Sequence, residues 1–351
     1  MRAHSLLISS LRGIRGERPP VWFMRQAGRY LPEYRAVREK HSMLDVIRTP
    51  ELAAQVTLQP LDRFELDGAI IFADILNPLI GMGIELDFVE GEGPRIGNPI
   101  QQRDDISRLV VPDPYENTGY TLEAIKSVVS ALTPRGIPLL GFAGAPFTLA
   151  WYALAESGKS AQGKRIKELI YNDPQGWREL MEKLVEMVST YLIAQAEAGV
   201  SALQLFDSWV GVCSSQMYRT EVLPYLEQVV TQVRASTSVP IVYFPLGGLG
   251  LADLVSELPV DAVSVDWRVS LPTVDAAYHH RFPLQGNLDP VILFAPLDTV
   301  RRETARILHE GAQITKPHIM NLGHGILPHT PISAVAEVVK TVRAFRYREE
   351  S

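Results

Sequence analysis

Four arginines fall within fourteen residues of the segment VWFMRQAGRYLPEYRAVREK, at 21–40. Arg25, Arg29, Arg35 and Arg38 are opposed within that span only by Glu33. A guanidinium fork meets a planar carboxylate or a phosphate with two parallel N–H donors, so the cluster is a candidate clamp for a polycarboxylate or phosphate. Gly28 lets a ligand approach the backbone closely. Pro32 and Glu33 suit a helix start, and Arg35 and Arg38 then lie at i, i+3 on that helix. The competing reading is that these cations pair with acids of the rest of the chain, with Arg35 the plainest case.

Asp74 follows an apolar run in IIFADIL. A carboxylate there is costly to bury without partners. The next residues, Ile75-Leu76-Asn77-Pro78, make a poor helix start, which weakens a purely capping role. Asp207 and Asp266 also follow apolar runs, and helix capping accounts for them more readily. His324 lies between two glycines in NLGHGIL, where the backbone can come close to a ligand. The other seven histidines have no comparable setting.

Other motifs fall away. ALAESGKS at 153–160 lacks the first glycine of a phosphate loop and the strand before it. Gly81-x-Gly83 and Gly91-x-Gly93 do not complete a dinucleotide motif. Cys213 is the only cysteine, so it forms no internal disulfide and no thiolate-rich zinc site. It reads as structural.

The chain has 351 residues, 46% hydrophobic and 21% charged, with net charge −6. This is globular composition, not that of a disordered chain. The first 48 residues carry +6, leaving −12 for the remainder. The acidic total argues against a generic nucleic-acid binder. The most apolar stretch, 69–86, is interrupted by Asp74, Asn77, Pro78 and Glu85 and is too polar to span a bilayer. The apolar patch at 6–8 is short for a signal peptide, and a short amphipathic helix using Leu7, Leu11 and Ile14 explains it. A cytoplasmic location is expected.

These residues need elements to carry them. Eight short apolar runs end in Gly, Pro, Asp or Asn: 21–24, 69–72, 138–142, 202–206, 240–244, 262–265, 283–285 and 318–321. Most lack period-2 alternation, which implies burial on both faces, as in a parallel sheet. Helical patterns lie between them, clearest at 177–197, 249–258 and 332–345. The pattern predicts one α/β domain over 1–351, a single (β/α)8 TIM barrel with a small hairpin insertion at 86–101 after the second strand. A doubly wound sheet is the alternative. Arg25, Asp74, Ser208 and His324 then stand at or just beyond the carboxyl ends of strands, where such barrels place their chemistry.

The motifs RQAGRYLPEYR, IIFADIL, GFAGAPFTLA, LQLFDSW and NLGHGI, in this order, resemble the uroporphyrinogen decarboxylases of haem and chlorophyll biosynthesis, from about residue 6 to 345. The resemblance implies a homodimeric (β/α)8 lyase with no cofactor and no metal. Its reaction removes CO2 from the four acetate side chains of uroporphyrinogen III to give coproporphyrinogen III. Carried over by motif, Arg25, Gln26, Ala27, Gly28, Arg29, Asp74, Tyr152, Ser208 and His324 would bind substrate, the Gln26–Gly28 stretch through its backbone. Asp74, Tyr152 and Arg38 would be the catalytic residues. The chain departs from the commoner family pattern at 151–160, where a small residue at 151 and a glycine pair near 157 are usual. A corrinoid-linked methyltransferase of the same fold and a non-catalytic tetrapyrrole carrier are the other readings.

Overall fold

Seven of the eight apolar runs form one parallel sheet in a computed structural model that describes residues 5–89, 93–155 and 162–347. The strands are β1 (Ala69–Ile70), β4 (Leu139–Gly144), β5 (Ala202–Asp207), β6 (Ile241–Pro245), β7 (Ala262–Ser264), β8 (Leu284–Leu288) and β9 (His318–Leu322). Their spatial order is β1-β4-β5-β6-β7-β8-β9. Registers such as Leu140 with Ala202 and Leu203 with Ile241 are parallel. Strands β4, β6, β8 and β9 are buried along their whole length, β4 and β6 as continuous apolar runs and β8 and β9 with the polar Gln285, Asn287, His318 and Asn321 enclosed among apolar residues. Two further strands, β2 (Leu86–Val89) and β3 (Gly93–Ile96), pair antiparallel as a separate hairpin.

The expectation of a closed eight-stranded (β/α)8 barrel is not met. The sheet is an open half-barrel that turns through 240°, with its edges 12 Å apart. Residues 21–24 are not a strand and touch the sheet at one parallel bridge, Val21 to Met320. The hydrogen bonding gives the reason. Pro19 and Pro20 offer no N–H. Side chains take most of the donors that follow: Val21 N donates to Asp67 Oδ2 (2.8 Å), Phe23 N to Gln26 Oε1 (3.1 Å) and Met24 N to Asn321 Oδ1 (3.1 Å). Only Trp22 N reaches a strand carbonyl, that of Met320, at 3.3 Å.

Helices cover the outer face. The longest, Pro174–Ala198, opens on the Asp173 carboxylate, which accepts from Gly176 N, and ends at Gly199 in the left-handed conformation. Its buried stripe includes Leu180, Leu184, Met187, Val188 and Tyr191. The pattern at 249–258 yields only a 3-10 turn, Leu249–Leu251, and the short helix Ala252–Val255. At the amino end, Leu6–Leu11 is helical and buries Leu7 and Leu11, while Ile14 lies beyond it and is 62% exposed. Among the described residues no helix is long and apolar enough to cross a membrane.

Candidate active site

The basic segment divides into structural and free cations. Arg18 grips Asp67 with both nitrogens at 2.7 Å. Arg15 donates to the Ile314 and Lys316 carbonyls. Arg35 donates to the carbonyls of Arg29 (2.9 Å) and Tyr30 (3.1 Å), so it holds the loop before the helix Pro32–Arg38. Arg38 is also engaged locally, with Nε on the His41 carbonyl (3.2 Å) and Nη1 beside Met43 Sδ and Tyr34 OH. Arg25 and Arg29 are exposed, and among the described residues neither guanidinium meets a carboxylate or a hydrogen-bond acceptor.

Arg25 is held in an unusual pose, with φ +58°. The loop around it is braced. Gln26 is buried and spends its side chain on Phe23 N and the Gly68 carbonyl, its own N–H on the Phe23 carbonyl and its carbonyl on Tyr30 OH. Its polar groups are therefore occupied within the fold. The backbone N–H groups of Ala27, Gly28 and Arg29 find no acceptor among the described residues. They form a short donor-rich edge beside the two free guanidinium groups.

Asp74 lies four residues past β1, within electrostatic reach of Arg25. Burial raises its carboxyl above the ordinary range. The Leu76 N–H, which donates to Oδ1 at 2.9 Å, and the Arg25 charge act the other way. Asp74 thus makes a short turn with one oxygen, and the other has no hydrogen-bond partner among the described residues. Tyr152, at the end of the helix Pro146–Ala153, feels the charges of both Asp74 and Arg25, and burial raises its phenol. Its ring meets Trp209 edge-on at 6.3 Å, and Trp209 in turn stacks on Trp151 at 4.4 Å and 5°. Ser208 lies between Trp209 and the buried Asp207 at the end of β5.

His324 follows β9 with Gly323 and Gly325 on either side. A β-carbon on Gly323 would come within 2.5 Å of Trp267 N, and one on Gly325 would meet the Arg25 side chain. The glycines therefore let the histidine loop pack between Arg25 and the 266–268 turn. Burial and then the charges of Arg25 and Arg268 push His324 down to about 4, against the pull of Asp266. His324 is a neutral ring in a positive field.

Arg25, Asp74, Tyr152 and His324 are brought together at the carboxyl end of the sheet. Arg29 projects from the same loop into solvent. Arg38 contacts Tyr34, which packs on Phe72 at 5.6 Å, so it neighbours the Asp74 segment through that ring. The departure near 157 lies outside the described residues, but Trp151 is buried. Three features escaped the sequence reading. They are the Trp151–Trp209 stack, the Arg268–Asp266 pair and the burial of Asp207 between Thr148 (2.6 Å) and Tyr243 (2.8 Å). The only sequence signal for the first was two tryptophans, each beside a site position. Cys213 is partly buried with its thiol pushed up to about 12. Among the described residues no group of three or more His, Cys, Asp or Glu could hold a metal ion.

The arrangement can hold an anion rich in carboxylates against two cations and present one half-buried carboxylate to it. The comparisons agree with that chemistry. Among solved structures, a methyltransferase from Methanosarcina mazei superposes with a TM-score of 0.80 over 96% of this chain and 97% of its own, at 21% identity. That likeness concerns the fold alone. A uroporphyrinogen decarboxylase from Roseiflexus is 47% identical over 97% of this chain and 99% of its own. One from Thermus thermophilus is 44% identical over 97% and 98%. The model of the uroporphyrinogen decarboxylase (URO-D) family matches residues 2–345. With the arginine loop, Asp74 and the glycine-flanked histidine converging at one end of the sheet, the chain belongs to the uroporphyrinogen decarboxylase family.

Proposed function

We infer that Arg25, Arg29 and Asp74 divide the work of the family's reaction on this chain. The chain is a carboxy-lyase of tetrapyrrole biosynthesis, acting on uroporphyrinogen. Substrate carboxylates bind the free guanidinium groups of Arg25 and Arg29 and the open N–H edge of Ala27 and Gly28. His324, uncharged, adds a hydrogen bond without drawing the substrate too tightly. Ser208 contributes a hydroxyl from the end of β5.

Decarboxylation leaves an electron pair on the acetate methylene carbon. Protonating a pyrrole carbon makes the ring an acceptor for that pair. The C–C bond to the carboxylate then breaks as CO2 leaves, and a second proton completes the methyl group while the ring carbon returns its own. The ring is cationic at the moment of bond breaking. Asp74, half-buried and with one oxygen free of hydrogen bonds among the described residues, is placed to accept pyrrole N–H donors and to stabilise that charge, and such preorganised electrostatics is commonly the largest catalytic contribution. Tyr152, held edge-on by Trp209, lies in the field of Asp74 and can polarise a carboxylate or relay a proton. The observation that carries this reading is the shared reach of Arg25 over Asp74, Tyr152 and His324.

The test is anaerobic incubation with reduced uroporphyrinogen, followed by oxidation and chromatography. Seven-, six-, five- and four-carboxyl porphyrins are expected in sequence, and their absence would refute the reading. The homodimer implied by the family likeness is part of the same proposal, and a monomer in sedimentation at assay concentration would remove it.

A further inference from the structure

We propose that Arg268 is an additional substrate-binding residue, a third guanidinium that takes one substrate carboxylate jointly with His324. The inference rests on the uroporphyrinogen reading of the site and extends it to the opposite flank of the histidine loop.

The turn after β7 carries Asp266, Trp267 and Arg268 to the carboxyl end of the sheet. It is fixed in several ways. Asn287 Nδ2 donates to the carbonyls of Asp266 (2.9 Å) and Val269 (2.7 Å). Asp266 accepts from Gly247 N (2.9 Å) and from Arg268 N (3.0 Å). The Arg268 guanidinium lies 4.5 Å over the Trp267 ring and pairs with Asp266 Oδ2 at 2.9 Å. Such a side chain loses little freedom when it meets a ligand.

The glycines place this turn beside His324. Gly323 packs on the Trp267 backbone and Gly325 under Arg25, so the histidine has the turn on one side and Arg25 on the other. The Arg268 side chain remains 52% exposed although paired, against 12% for Asp266. The carboxylate is thus turned inward and the cation outward. The charges of Arg25 and Arg268 both disfavour the protonated His324 ring, and Asp266 acts the other way. An anion arriving at His324 meets cations on both flanks. Bidentate binding by Arg268 needs only one nitrogen to stay on Asp266.

The test compares the parent chain with Arg268→Ala and Arg268→Gln under anaerobic steady-state turnover. Gln keeps an N–H for Asp266 and length for the Trp267 face but carries no charge. Both variants should raise KM about tenfold, the worth of one charge-assisted hydrogen bond, with kcat within about twofold of the parent. Inhibition by the four-carboxyl product should weaken in parallel. If Gln restores the parent KM, Arg268 serves only to brace the turn and the proposal is overturned. A fall in kcat at unchanged KM in both variants overturns it as well. A parent enzyme that turns over uroporphyrinogen with a silent Arg268 sinks this inference alone, whereas a parent without turnover sinks the functional reading beneath it.

Discussion

Gly325 lies directly under the Arg25 side chain: a β-carbon on it would stand 2.6 Å from Arg25 Cγ and 3.1 Å from Arg25 Cβ. The glycine therefore shapes the arginine's path into the site. Gly325→Ala must displace that side chain. We expect kcat/KM to fall about tenfold or more, chiefly through KM, with a loss of stability of about 1–3 kcal/mol as for other overpacked sites. Steady-state kinetics beside urea unfolding would check it, and an alanine variant with parent KM would show that Arg25 has another route.

Asp74 should govern the acid side of the pH profile. Its carboxyl is raised by burial and partly restrained by Arg25. As pH falls through that raised value, the catalytic anion is protonated and rate is lost, so the acid limb of kcat/KM should lie above the pH of an ordinary aspartate. Arg25→Ala removes the restraining cation and should move the limb to still higher pH. Asp74→Asn should lower kcat about 10²–10³-fold, as losing one preorganised stabiliser does, and flatten the limb. An unchanged limb in Asp74→Asn would assign it to another group.

Arg29 and Arg38 should respond differently to removal. Arg29 is exposed and unpaired among the described residues, so Arg29→Ala should raise KM about tenfold at unchanged stability. Arg38 donates to the His41 carbonyl and lies against Tyr34 and Met43. Arg38→Ala should lower the unfolding free energy by about 1 kcal/mol. Thermal melts and kinetics on the same preparations separate the two roles, and a large kcat loss in Arg38→Ala without a stability change would place Arg38 in the chemistry.

Asp207 should report on stability. Burial raises its carboxyl to about 6, against the hydrogen bonds from Thr148 and Tyr243. The folded chain therefore holds this proton where the unfolded chain, near 3.8, releases it. That advantage is complete below 3.8 and is lost as pH rises through about 6. Asp207→Asn has no charge to bury, so relative to the parent it should gain roughly 3 kcal/mol between pH 3.5 and pH 8. Urea unfolding of both chains across that range would show it, and a pH-independent difference would mean that Asp207 binds its proton equally in the folded and unfolded chains.

Most of the sheet was legible because fully buried strands leave an uninterrupted apolar run, as at 139–144 and 241–245. Residues 21–24 carry the same run and are not a strand. Their N–H groups are claimed by Gln26 close by and by Asp67 and Asn321 far along the chain, and no local pattern announces the distant two. The site was legible where a charge interrupts apolar sequence, at Arg25 and Asp74, or where glycines flank a polar group, at His324. It was illegible where position decides. Arg35 and Arg38 share the sequence look of Arg29, yet bond to their own loop. Arg268 reads as one more surface cation, and only the packing of Gly323 sets it beside His324.

The stretch that delivers Arg25 is tied by the side chains of Asp67, Gln26 and Asn321 as well as by backbone bonds to Met320 and Ile326. A change at Asp67 or at the Asn321 side chain therefore reaches the approach to Arg25 without breaking a backbone bond between the seven strands.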